Sequence, residues 1–438
     1  MTTLAHCLDR TLLLMRDEFG DAVEDDILLA ALTSTSVALI ADATNLASHS
    51  AQTALITAAL LMARSGHEIY LVAPGVQILY PQPPLQPGTI VDELVKVGKD
   101  ILPGIEFKVG EPEREVDLAI AFGSTRLDVD ARRKLRVNAD AWAGLLLPED
   151  QSIRWHEVLW PFGGLVAGGL AAGEAFKLAM MELLPRALNP ESTALLFAPT
   201  TEREFRLAPV DSPRCTDLGQ LDFVSGGAIA NSTLYCLARI PEVRGVGKII
   251  EPDFSDHTNL NRNMFLLRTR CGASKSQDLS DLMPDRLRFE SVVQRYDLDF
   301  AVNSAPLART VVIGVDDIPT RWVVQRANPE LLVVGATTHW SAMASFHSVG
   351  LGCAECLHNR NDIVEGPIRT TACVSFWAGL LSAAYVARRA AGEIITAQEQ
   401  QVFLTPFRPE TPFIAAVAKR KDCLSCRQMP HYRPIVAA

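Results

Sequence analysis

Leu221-Asp222-Phe223-Val224-Ser225-Gly226-Gly227-Ala228-Ile229-Ala230-Asn231 decides the fold of this 438-residue chain. The apolar run 221–224 reads as a short strand, the small residues 225–231 as a turn, 232–239 as a helix and 248–250 as a second strand, which is a βαβ unit. Gly226, Gly227 and Ala228 let a backbone approach an anionic group at a helix N-terminus. Glu251 closes the next strand about twenty residues on, where an acid can bind ribose hydroxyls. Ser225, Ala228 and Ala230 stand where a dinucleotide fingerprint carries glycine, so the loop alone fits a nucleotide site and a plain strand–helix turn equally well.

The same order recurs in the first half. Residues 37–40 read as a strand, 41–50 as a polar turn, 51–64 as a helix and 68–72 as a strand. Residues 116–122 and 310–315 then read as matching buried parallel strands, and 163–184 and 375–389 as matching helices of small residues. Each half ends in an apolar, hairpin-like tail, near 194–207 and 402–416. The expected fold class is therefore α/β, with two related Rossmann-like domains, residues 1–208 and 209–438, packed face to face. At 48% hydrophobic and 21% charged residues, the chain can bury two ordinary cores. The turn at 41–50 has no glycine where a backbone must meet a phosphate, so the first domain is expected to bind no nucleotide.

The residues beyond the second strand carry a resemblance. Ile249-Ile250-Glu251-Pro252-Asp253-Phe254-Ser255-Asp256-His257-Thr258-Asn259-Leu260-Asn261-Arg262-Asn263 is similar to the acidic strand end and Ser-Asn-Leu-Asn-Arg-Gln signature of the ubiquitin-activating family. That family includes the ThiF/MoeB-type adenylyltransferases of bacterial sulfur carriers. Gly272-Ala273-Ser274-Lys275 resembles its Gly-x-x-Lys, and Gly314-Val315-Asp316-Asp317-Ile318-Pro319-Thr320-Arg321 its strand-end Asp with a following Arg. Two CxxC pairs, Cys353/Cys356 and Cys423/Cys426, match its zinc site in order and position.

The resemblance implies tandem ThiF-type adenylation domains forming an internal pseudo-dimer, the first inactive and the second active, as in the activating enzymes of bacterial ubiquitin-like conjugation operons, some linked to antiviral defence. It implies ATP bound through Gly226, Gly227, Ala228, Glu251 on ribose, Asp253 near the reacting phosphate, and Asn259 orienting the nucleotide. It also implies a ubiquitin-like protein and a ubiquitin-conjugating-like enzyme as partners. Arg10 or Arg16 of the first helix would reach across the pseudo-dimer interface.

The residue types suit adenylation in their own right. When a carboxylate oxygen attacks the α-phosphorus of ATP, negative charge grows on phosphoryl oxygens, and cations must sit there. Arg262 offers a planar, multidentate phosphate ligand and Lys275 a point charge; Asp316 is a hard oxygen ligand suited to Mg2+. The bland reading of these three is a surface charge network, and Asp317 and Arg321 fit a structural ion pair. Cys373, in Arg369-Thr370-Thr371-Ala372-Cys373-Val374, precedes an apolar helix where relatives place a transfer cysteine. A helix N-terminus and Arg369 would favour its thiolate, and a buried residue packing the helix start is the other reading. Cys271, beside the Lys275 loop, is the next candidate, and Cys236 reads as core.

Two CxxC pairs suit a closed tetrahedral zinc site with no open position, and two disulfides or one redox pair remain the other readings. Loss of the metal is expected to impair stability and transfer more than ATP binding. Asp9, Arg10, Arg16, Asp17, Glu18 and Asp21 interrupt the N-terminal stretch, which fits no export signal. Arg64, Glu174 and Lys177 break the longest apolar runs, and the net charge is -10. The expectation is a cytoplasmic protein with neither membrane nor nucleic acid as partner. A sulfur-carrier or peptide adenylyltransferase without thioester transfer, and a catalytically dead scaffold, stand as the competing functions.

Overall fold

A computed structural model describes residues 2–156, 158–358, 366 and 368–428. The first sheet contains β1 (Ser36–Ile40), β2 (Glu68–Val72), β3 (Phe107–Val109), β4 (Leu118–Phe122), β5 (Lys134–Ala139), β6 (Ala143–Pro148) and β7 (Arg203–Arg206). The second contains β8 (Asp217–Val224), β9 (Arg244–Ile250), β10 (Leu287–Val292), β11 (Thr310–Ile313), β12 (Leu331–Thr338), β13 (Ser341–Ser348), β14 (Gln401–Leu404) and β15 (Phe413–Ala415).

Their orders, β3-β2-β1-β4-β5-β6-β7 and β10-β9-β8-β11-β12-β13-β14-β15, are the same pattern with one strand added. The first five strands of each sheet pair in parallel and the remainder antiparallel. β1 and β4 are buried along their whole length, as the unbroken apolar runs require of strands covered on both faces. The second sheet ends in the expected hairpin, β14 with β15. The expected hairpin near 194–207 is instead a helix, Pro190–Leu196, followed by β7, because Asn189 caps the helix through the Ser192 N–H and Pro190 opens it.

Five helices matter for the site: α1 (His49–Arg64), α2 (Phe162–Glu182), α3 (Ala228–Leu237), α4 (Ile318–Arg326) and α5 (Ala372–Ala390). α2 is the one described helix long and apolar enough to cross a membrane by composition, and 89% of that window lies buried inside the fold. Close packing of α2 on α1 and of α5 on α3 is permitted by glycine. A Cβ at Gly168 would stand 2.7 Å from the Ala54 carbonyl oxygen, and one at Gly379 would stand 2.4 Å from Ser232 Cβ.

The halves share one apolar core, in which α2 meets α5 at Gly169, Phe376 and Trp377. Two buried arginines cross the interface reciprocally. Arg64, at the end of α1, donates to the Leu260, Met264 and Leu266 carbonyls of the second half at 2.6, 2.9 and 2.9 Å. Arg239, just past α3, donates to the Pro83 carbonyl of the first half at 2.9 Å and lies over the Tyr235 ring.

Candidate functional site

In an open α/β sheet, ligands bind at the carboxyl ends of the strands where the strand order reverses. In the second sheet that point lies between β8 and β11, and a cleft of about 350 Å3 opens there. Gly227, Ala228, Glu251, Asp253, Asn259, Arg262, Lys275 and Asp316 all line it, together with Arg10 from the first half. Residues distant in sequence thus converge on one cavity.

The corresponding turn of the first sheet is filled from within. Asn45 donates to Asp42 and to Thr125 Oγ1 at 3.2 Å, and its Oδ1 accepts the Trp155 N–H at 2.9 Å. A Cβ at Gly123 would lie 2.2 Å from that same Oδ1.

The loop after β8 is strained. Ser225 has φ +135°, a conformation costly for a residue with a side chain. Its Oγ accepts the Gly227 N–H at 2.9 Å, while the Gly226 N–H donates to Glu251 Oε2 at 2.5 Å. Gly226 itself sits behind the cleft wall, where an added Cβ would meet Glu251 Cγ and Lys275 Cβ at 3.0 Å. Glu251 also accepts the Asp253 N–H at 3.0 Å. Its buried carboxylate therefore supports the loop with one amide bond on each oxygen, and the remaining lone pairs leave it able to accept ribose hydroxyls as well. Burial raises its pKa above the usual range, opposed by the Gly226 amide and by Lys275.

The cations are well placed. Arg262 donates to the Thr258 carbonyl and to Asn261 Oδ1, the latter at 2.8 Å. Burial, then the neighbouring Arg10, lower its pKa to about 10, against Asp9, Asp256 and Asp316. It therefore stays charged at neutral pH. Arg10 Nε is buried, 3.7 Å from Asp9, and makes no hydrogen bond among the described residues. Arg16, the other candidate, points elsewhere and pairs with Asp25 at 2.5 Å. Lys275 opens a short helix and pairs with the exposed Asp253 at 3.1 Å. The Asn259 amide oxygen accepts the Asp256 N–H at 3.0 Å, closing a capping box that stiffens the segment before Arg262.

Asp316 projects from the end of β11 into the cleft. Asp317 is the N-cap of α4, accepting the Thr320 N–H at 3.0 Å. Arg321 is buried and clamps the strand end, donating to the Val315 carbonyl from Nε at 3.0 Å and Nη2 at 2.6 Å. Asp316 lines the cleft with its charge acting on Arg262 and Arg321, and its hard carboxylate oxygens are of the type that suits a divalent ion.

Cys373 has the burial expected of a residue packing the helix start. It is the second residue of α5, fully buried, and burial alone pushes its pKa to about 12. Arg369, expected to favour its thiolate, pairs instead with Asp17 of the first half. An apolar surrounding disfavours the charged form more strongly than one helix end favours it. Cys271 is half-buried and likewise raised, to about 11, chiefly by burial. Cys236 lies in the core as expected.

Cys353, Cys356, Cys423 and Cys426 come together, their sulfurs within 4.8 Å of one another. Individual Sγ···Sγ distances of 3.3 to 3.6 Å exceed the disulfide bond length of about 2.05 Å and approach the spacing of about 3.7 Å that four 2.3 Å bonds set around a tetrahedral metal. The donor set fits such an ion.

Sequence reasoning missed Arg64, Arg239 and Asn263. Arg64 was visible as a charge at the end of an apolar helix. Its three carbonyl partners lie some two hundred residues away in sequence and have no side-chain signature. Asn263 lines the cleft one residue beyond the motif's arginine.

Among known proteins, the family described as the BilD N-terminal domain matches residues 36–194, the half without the cleft. The uncharacterized protein y4jF of Sinorhizobium fredii is 25% identical over 230 residues, 51% of this chain and 43% of the relative. The chain thus spans less than half of that relative's length. Among solved structures, E. coli MccB is 15% identical, covering 68% of this chain and 97% of its own, with a TM-score of 0.41. Its ATP complex gives 15%, 67%, 97% and 0.41.

Proposed function

We propose that the chain is an ATP-dependent adenylyltransferase that activates the C-terminal carboxylate of an extended protein tail, the tail of a ubiquitin-like protein. The observation that carries this reading is the convergence of Arg10, Asn259, Arg262, Lys275 and Asp316 on one cleft at the switch point of the second sheet.

In this reading a carboxylate oxygen of the tail attacks the α-phosphorus of ATP. The bond from that phosphorus to the α,β-bridging oxygen breaks, and pyrophosphate leaves with the electron pair, giving an acyl adenylate. Arg262 and Lys275 meet the charge that grows on the phosphoryl oxygens, and Arg10 adds a cation from the first half. Mg2+, held by Asp316, would supply further charge neutralisation on the phosphates. The second half is the active domain and the first its internal partner, so one chain makes the pseudo-dimer that completes the cleft. The four thiols hold zinc as a structural ion.

The tail has an approach. A second, more apolar groove continues from Asp316 and Arg321 past Ala336, Met343 and Phe403. Buried Cys373 favours onward transfer to a nucleophile on another chain, such as a conjugating enzyme, over a thioester on this residue.

The experiment is exchange of labelled pyrophosphate into ATP with a glycine-ended ubiquitin-like protein present. Exchange should depend on that protein, fall at least about a hundredfold in Arg262→Ala, and survive in Cys373→Ala. No exchange with any candidate partner would leave the catalytically dead scaffold as the better description.

A further inference from the structure

The metal centre and the cleft are joined by one helix. α4 begins at the cleft, where its N-cap is Asp317 and the preceding residue is Asp316. It ends against the two CxxC turns. Arg326, its last residue, donates to Glu355 Oε2 at 3.2 Å and to Ser425 Oγ at 3.4 Å. Glu355 lies inside the first CxxC and Ser425 inside the second, and Glu355 Oε2 accepts both the Ser425 hydroxyl at 2.6 Å and its N–H at 3.2 Å. The two turns are thus clipped to each other and to the helix by the residues between the thiols.

Two further bonds fasten the same helix. The buried Gln325 side chain accepts the Ala354 N–H at 2.9 Å. Arg321, one face along, meets His358 Nε2 from Nη1 at 2.9 Å while its Nε and Nη2 donate to the Val315 carbonyl. His358 lies two residues past Cys356 and caps the short helix that carries the first CxxC turn. A shift of that turn is therefore transmitted to the residue that fixes the strand end bearing Asp316.

We infer that occupancy of the four-thiol centre sets the nucleotide affinity of the cleft through α4, with Arg326, Gln325 and His358 as positioning residues. This rests on the adenylation reading of the cleft and departs from the expectation that metal loss would weaken ATP binding less than stability and transfer. Without the ion, four thiols at van der Waals contact have no centre to hold them, the turns separate, and Arg321 loses its outer support. Because coupling between two binding sites is reciprocal, nucleotide must tighten the metal by the factor that metal tightens nucleotide.

The test uses the full-length, zinc-loaded chain and two titrations. MgATP affinity is measured by calorimetry for the wild type, Arg326→Ala and His358→Ala, with zinc content and circular dichroism confirming a loaded, folded protein. Zinc affinity is measured by competition with a chromophoric chelator, with and without MgATP. The expected results are at least a tenfold loss of MgATP affinity in both loaded variants, and at least tenfold tighter zinc binding with MgATP in the wild type that largely disappears in Arg326→Ala. Unchanged affinity in folded, loaded variants, or equal zinc affinity with and without MgATP in a wild type that binds MgATP, overturns the inference. A folded, loaded wild type that binds no MgATP defeats the adenylation reading itself and this inference with it.

Discussion

Arg64 shows how a single buried charge can act at a distance from its own domain. Its guanidinium has three carbonyl partners and no carboxylate among the described residues, and those carbonyls flank Arg262 on the loop between β9 and the Lys275 helix. Removing the donor would leave buried carbonyls unpaired, at about 1–3 kcal/mol each before relaxation. Arg64→Met, close in volume and unable to donate, should therefore cost about 3–5 kcal/mol by urea denaturation and weaken MgATP binding at least about tenfold through the displaced loop. Full MgATP affinity in the folded variant would show that Arg262 is held by its local contacts to Thr258 and Asn261 alone. The motif residues were legible because phosphate chemistry restricts residue type: few side chains besides Arg and Lys meet a phosphoryl oxygen. The support of Glu251 by loop amides and the burial of Cys373 were not legible, since both depend on neighbours brought together only by the fold.

At the scale of elements, the paired helices explain why the small residues of α2 and α5 stand where they do. Gly379 lets α5 touch α3, and an added Cβ would collide with Ser232 Cβ at 2.4 Å and the Thr233 nitrogen at 2.7 Å. Gly173 on α2 has open space around the same added atom. Gly379→Ala should accordingly destabilise by about 1–3 kcal/mol through overpacking, whereas Gly173→Ala should stabilise by up to about 1 kcal/mol through helix propensity. Equal shifts in the urea midpoint for the two variants would mean that α5 can move away from α3 freely. Most elements were readable from periodicity, the strand 68–72 to the residue. The tail at 194–207 was misread because its apolar residues fit a hairpin and a short helix equally, and the Asn189-Pro190 cap decided between them. The metal turns were readable as a ligand set, but their attachment to α4 runs through Glu355 and Ser425, spacer positions to which a CxxC pattern assigns no role.

For the whole molecule, the duplicated sheet order and the shared core argue that the halves behave as one folding unit. Reciprocal buried arginines, the α2–α5 contact and the bond from Asn261 Nδ2 to Thr11 Oγ1 at 3.0 Å leave neither half with an independent apolar face. One of these ties also responds to pH. His49 of the first half contacts the Arg239 carbonyl of the second at 2.7 Å, and burial lowers its pKa to about 4. Burial likewise lowers His67 in the first half and His347 in the second to about 4. Below the unfolded value of about 6.5 the unfolded chain takes up protons that the native chain refuses, so stability is intact above pH 6.5 and falls steadily toward pH 4. Because His49 sits at the interface, this loss should be common to both halves. Hydrogen exchange followed by mass spectrometry across a urea series should give one midpoint for peptides covering β1 and β4 and for those covering β8 and β11. That midpoint should drop to lower urea as pH is taken from 7 to 5, with the two sets moving together. Separate midpoints, or an acid shift confined to one set, would mean that the halves fold as neighbours and that the arginines and His49 join two domains already complete in themselves.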